Sequence, residues 1–180
     1  MTEPLSPKQL ENEGKAAYQR GDFSAAARAF QAAAQGFAST GDVLTSAEMS
    51  NNVSVALLQA GDAPAALEAV EPTPAIFAEA GDVCRQAMAL GNRAAALEAS
   101  KRFDEAAEAY EQSAELFKQI GEDGLRANVL QSLSALQLRT GRQLQALASM
   151  QAGLEQIERP TPQQSLLKRL LRVPFHMLGK

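Results

Sequence analysis

Asn12, Asn52 and Asn92 stand forty residues apart, with Ser132 in the fourth place. A side-chain amide presents a donor and an acceptor together, the complement of a peptide bond. Three such amides along one surface would hold an extended backbone without reading its side chains. The same amides could instead bond a neighbouring helix and help set its twist; the spacing leaves both roles open. Other chemistry is sparse. Cys84 and His176 are each the only residue of their kind. An intramolecular disulfide, a Cys-based zinc site and a His-rich metal site are therefore excluded. Cys84, near a helix start, is expected to be a small packing residue, and His176 a surface or packing residue. Glu105, Glu108, Glu111 and Glu115 run along one side of a helix and read as a solvated face. With no glycine-rich phosphate loop, nucleophile elbow or metal-ligand spacing, no catalytic residue, cofactor or metal is expected.

The elements that must position the asparagines are helices. The chain has 180 residues, 46% hydrophobic and 21% charged, with aromatics at 5% and no Trp. Alanine makes up about one residue in five, and it is both the best helix former and small enough for close helix packing. Glycines fall at Gly21, Gly61 and Gly141, with Lys101 in the missing slot, and again at Gly41, Gly81 and Gly121. Asp22, Asp42, Asp62 and Asp82 each follow their glycine. A C-cap glycine followed by an N-cap carboxylate ends one helix and starts the next. Eight helices of roughly 16 to 18 residues are predicted over Lys8 to Glu158.

Side chains keep the same period. Ala26, Ala66, Ala106 and Ala146 are identical; Phe37, Phe77, Phe117 and Ile157 form a bulky ladder, and Phe30, Val70, Tyr110 and Met150 another. Gly14, Ser54, Ala94 and Ser134 supply the small residues where paired helices cross. Phe23, Ala26, Phe30, Ala33 and Phe37 mark one helix face. The fold class is all-α.

These residues resemble the tetratricopeptide repeat in a long form of forty residues. The resemblance runs from about Leu10 to Ile157. It is carried by the stretch from Gly14 to Phe23 with Ala26 and Phe30, and again by Phe103, Ala106 and Tyr110. The long form looks like the repeats of polarity adaptors and kinesin light chains. It implies a right-handed α-solenoid of four helix pairs, with repeats at about 6–41, 42–81, 82–121 and 122–158, and 159–180 as a separate C-terminal helix and tail. It also implies a concave groove, lined by the first helix of each repeat, that binds a peptide or helix. The first repeat would supply Glu11, Asn12, Lys15, Tyr18 and Gln19; the second Glu48, Asn51, Asn52, Val55, Leu58 and Gln59. The third would supply Met88, Asn92, Ala95 and Glu98; the fourth Asn128, Gln131, Ser132, Ala135, Leu138 and Arg139. Repeats that clamp the C-terminal carboxylate of heat-shock chaperones use several groove cations. Lys15 and Arg139 alone, against Glu11, Glu48 and Glu98, argue for an apolar or mixed partner instead.

Three departures bear on the expectation. Pro72 and Pro74 are predicted to break or kink the second repeat's second helix near Val70 to Thr73, which then resumes through Phe77. That break is a tolerated irregularity or a bend that widens the groove. Gln143, in a slot that usually holds Phe, is expected to loosen the fourth pair. The third departure is charge. The chain carries −4, but Arg159, Lys168, Arg169, Arg172 and Lys180 make the last segment +5, leaving −9 on the rest. An acidic body argues against nucleic acid as a partner. Leu166, Leu167, Leu170 and Leu171 share one face of a short helix, with Lys168, Arg169 and Arg172 off it. This segment is either a cap on the open end of the stack or an element that contacts a membrane surface or a partner. A homo-oligomer through acidic body and basic tail is a further expectation. With no secretory signal and no long apolar run, a cytoplasmic place, peripheral at a membrane if the tail docks there, is expected.

Overall fold

A helix stops where the backbone is turned out of its repeat, and here glycine does this every twenty residues. Gly21, Gly41, Gly61, Gly81, Gly121 and Gly141 all take positive φ, between 70° and 84°. At the first turn the Gly21 N–H donates to the Tyr18 carbonyl and the Asp22 N–H to the Ala17 carbonyl, both at 3.0 Å. This is the six-to-one closure that satisfies the last carbonyls of a helix. The Asp carboxylates start the next helices: Asp22, Asp42, Asp62 and Asp82 accept from the N–H of Ala25, Thr45, Ala65 and Arg85 at 2.9–3.2 Å.

The computed structural model describes residues 5–155 and Ser165. Nine helices lie among the described residues. They are α1 Pro7–Gln19, α2 Phe23–Ser39, α3 Val43–Gln59, α4 Ala63–Val70, α5 Thr73–Glu79, α6 Val83–Ala99, α7 Phe103–Gln119, α8 Asp123–Arg139 and α9 Gln143–Glu155. The ninth arises because Glu71-Pro72 interrupts what would be one helix, giving α4 and α5. This is the break expected from the prolines. A signal not read in the sequence starts α1: Ser6 and Gln9 form a reciprocal capping box around Pro7.

Helices pack chiefly on their neighbours in the chain, except that α4 packs on α3 and α6 rather than on α5. The result is a linear α-solenoid of helix pairs, α1–α2, α3–α4/α5, α6–α7 and α8–α9. Its core follows the ladders of the sequence. Ala26, Ala66, Ala106 and Ala146 are all fully buried, as are Val70, Phe77 and Phe117 within 2%. Phe37 and Met150 are half-buried, and Ile157 lies outside the described residues. Gly14 lets α1 lie close on α2, where a Cβ would sit 2.6 Å from the Phe30 ring.

The fourth pair is held in its own way. α9 packs on α8 with Gln143 exposed at its start. The pair is joined by polar side chains. Ser149 donates to buried Gln137 at 2.8 Å, and Ser134 donates to the Ala146 carbonyl at 2.9 Å. In the earlier repeats the Gln137 and Ser149 positions hold Ala17 and Ala29, Leu57 and Ala69, Leu97 and Ala109. Ser149→Ala is therefore expected to cost about 1–3 kcal/mol, because it strands a buried amide. Adding Gln137→Leu should recover most of that loss in urea unfolding.

The slot without glycine gives a second expectation. Lys101 adopts φ 62° where the other turns use glycine. A Cβ in this region costs about 1–2 kcal/mol, offset in part by the lower chain entropy of a non-glycine residue. Lys101→Gly is expected to stabilise the chain by about 1 kcal/mol, a rise in Tm of about 2–4 °C. A lower Tm would contradict this reading of the turn.

Candidate partner-binding face

The first helices, α1, α3, α6 and α8, bring the sequence candidates to one side of the stack. Two clefts open there. One lies between α1 and α3, lined by Lys15, Tyr18, Gln19, Asn52 and Val55 and floored by Phe30 of α2; its volume is about 260 Å³. The other lies between α6 and α8, lined by Ala95, Glu98, Ala99, Ser132, Ala135 and Arg139 and floored by Tyr110 of α7; its volume is about 440 Å³. The two are the same place in the repeat. Adding 80 to each residue number of the first cleft gives a lining residue of the second. The second is larger because Ala95, Ala99 and Ala135 replace Lys15, Gln19 and Val55.

Phe30 and Tyr110 were legible in the sequence only as core ladders. Both are buried, yet each lines the floor of a cleft. The signal was their alternation with Val70: an aromatic ring reaches past the first helices where a valine does not.

The asparagines divide by environment. Asn12 is exposed, Asn52 and Asn92 are half-buried, and their side-chain amides hydrogen-bond no described residue. Asn51 differs. It is buried, 8% exposed, and its amide oxygen lies 3.0 Å from the Thr73 hydroxyl at the start of α5. Asn51 therefore faces the broken helix and is withdrawn from the groove. Of the other candidates, Gln131, Asn128, Met88 and Leu138 are exposed, and Leu58 packs partly against Val70 and Ala96. Leu167, Lys168, Arg169, Leu171 and Arg172 lie outside the described residues.

Every candidate carboxylate of this face is already paired. Buried Glu11 bonds Lys8 at 2.8 Å and also Lys15. Burial raises the Glu11 pKa, but hydrogen bonds from Lys15 and Lys8 outweigh it and hold the carboxyl below its ordinary range. Glu48 meets Arg85 at 3.4 Å. Glu98 accepts from Arg139 at 2.7 Å and from the Tyr110 hydroxyl at 3.0 Å. Burial, then the Glu98 carboxylate, push the Tyr110 phenol well above its ordinary range. The acidity of the body sits elsewhere, on second helices: Asp104, Glu105, Glu108, Glu111 and Glu115 of α7, Glu68 of α4, Glu79 of α5, and Glu71 between α4 and α5. The face of the first helices is thus close to electrically neutral, polar through its amides and apolar through Tyr18, Val55 and Leu138.

Among the described residues no group of three or more His, Cys, Asp or Glu could hold a metal ion, and no helix is long and apolar enough to cross a membrane. Residues 85–159 match the family model described as tetratricopeptide repeat. No curated protein matches the chain.

Proposed function

We propose, from the match of residues 85–159 to the tetratricopeptide-repeat model, a fold that serves protein interaction, that the chain is a scaffold or adaptor, not an enzyme. It holds a peptide or helix of a partner protein against the face of its first helices. The observation that carries the reading is the set of amides of Asn12, Asn52 and Asn92 on that face, which bond no partner among the described residues. Polar groups left free at regular intervals, beside repeated clefts, complement a backbone that offers donors and acceptors at regular intervals. Neutrality of the face argues against nucleic acid and for a partner of mixed apolar character. A solenoid over 1–158 with a distinct tail at 159–180, working in the cytoplasm, completes the proposal.

The alternative is docking to a membrane or membrane complex through Leu167, Lys168, Arg169, Leu171 and Arg172. It rests on the +5 charge of the tail and its leucine-rich face. Basic residues beside anionic lipid contribute about 1 kcal/mol each, so such contact would be weak and reversible. One experiment separates the readings: affinity capture from a lysate with the full chain and with Ser165–Lys180 deleted, read by mass spectrometry. Partners held equally by both forms support the groove. A partner or membrane fraction lost only on deletion assigns recognition to the tail.

A further inference from the structure

The clefts at α1–α3 and α6–α8 share a position in the repeat but not their chemistry. In the first, Tyr18, Phe30 and Val55 make an aromatic and aliphatic hollow, and the Lys15 ammonium on its rim is tied to Glu11. In the second, the place of Tyr18 is taken by Glu98, and Arg139 reaches across from α8 to meet it at 2.7 Å. Glu98 is the more enclosed partner, its side chain 21% exposed against 59% for Arg139. Neither is saturated. A carboxylate has about four acceptor sites, of which Tyr110 and Arg139 use two; a guanidinium has five N–H donors, of which Glu98 takes one. The second cleft therefore offers an acceptor and a donor side by side at zero net charge, with room made by Ala95, Ala99 and Ala135.

We propose that this face reads one extended segment at two positions: a large apolar side chain in the α1–α3 cleft and a carboxamide, Asn or Gln, in the α6–α8 cleft. The inference rests on the groove reading above and adds the chemistry of the partner. A carboxamide donates to Glu98 and accepts from Arg139 at once. A ligand cation meets Glu98 but is repelled by Arg139, and a ligand carboxylate meets the reverse; either pays desolvation for little net attraction. The spacing follows from helix packing. Packed helices lie about 8–10 Å apart and successive first helices stand no closer, so clefts two repeats apart are separated by at least about 16–20 Å, or about five to six or more residues of extended chain.

The test is selection of random dodecapeptides displayed on phage against the immobilised full chain and three variants. Peptides selected by the wild type are expected to carry a large apolar residue with Asn or Gln at one fixed spacing of about six positions or more. The carboxamide should be enriched roughly tenfold over its library frequency, as expected for about 1.4 kcal/mol of discrimination. Glu98→Gln leaves Arg139 uncompensated and should shift the second position towards Asp and Glu. Arg139→Gln leaves Glu98 uncompensated and should shift it towards Lys and Arg. Asn52→Ala with Asn92→Ala should reduce recovery of every selected class. Enrichment of a charged residue at the second position by the wild type, or no response to Glu98→Gln and Arg139→Gln, overturns this inference and leaves the groove reading standing. No enrichment of any peptide overturns both.

Discussion

Phe77→Ala is expected to split the unfolding of this chain into two transitions. Phe77 is fully buried and packs with Ala47 of α3 and Ala89 of α6. The Arg85 guanidinium lies 5.2 Å from its ring centroid. It is the largest buried side chain of α5, a helix of seven residues with no side-chain cap. So short a helix has little stability of its own and persists only through such contacts. Truncating the ring costs about 3–5 kcal/mol, against about 5–15 kcal/mol for a whole domain. The loss also falls at one seam. α5 contacts both α3 and α6, and so ties the second repeat to the third. Stability in a solenoid is close to a sum of repeats and nearest-neighbour interfaces, so weakening one seam uncouples the two sides. Urea unfolding followed by the far-ultraviolet helical signal should show one transition for the wild type and two for the variant. A single transition with unchanged midpoint would refute this view of the seam.

Asn52→Ala combined with Asn92→Ala is expected to weaken partner capture at least about tenfold while leaving the helical signal and Tm nearly unchanged. Each amide lost removes hydrogen bonds worth about 0.5–1.5 kcal/mol to a bound backbone, so two losses amount to about tenfold or more. Stability should hold because neither amide bonds a described residue, and Ala is the better helix former. Asn51→Ala is the contrasting variant. Its amide is buried against Thr73, so its removal should lower Tm and alter capture only through the fold. Unchanged capture by the Asn52 and Asn92 double variant would remove the groove proposal.

The difference between Asn51 and Asn52 shows where sequence reading reached its end. Both stand in the same helix and both were candidates for the groove. Adjacent helical residues point about 100° apart, and only the position of α5 decides which of them is covered. α5 in turn sits where it does because Pro72 ends α4, Thr73 lies close to Asn51, and Glu71 is held by Arg93 at 2.9 and 3.0 Å. That the helix would break was written in the prolines; what the break would touch was not.

The glycine and aspartate turns, the alanine and aromatic ladders and the small crossing residues were all legible. Each is a local rule: a φ that only glycine takes cheaply, a carboxylate that caps the next helix, a 3.6-residue period that keeps one face apolar. Repeated four times, local rules determine a solenoid. Lys101 shows their strength, since the turn holds its positive φ even without glycine. What only the tertiary structure decided was the pairing of distant side chains. Glu98 and Arg139 are forty-one residues apart, and their meeting depends on how far α8 stands from α6. The two clefts, one aromatic and one polar, exist because floor residues from second helices show between first helices of successive repeats. Those distances come from side-chain volumes summed over several packed helices, and no pattern within a single helix contains them.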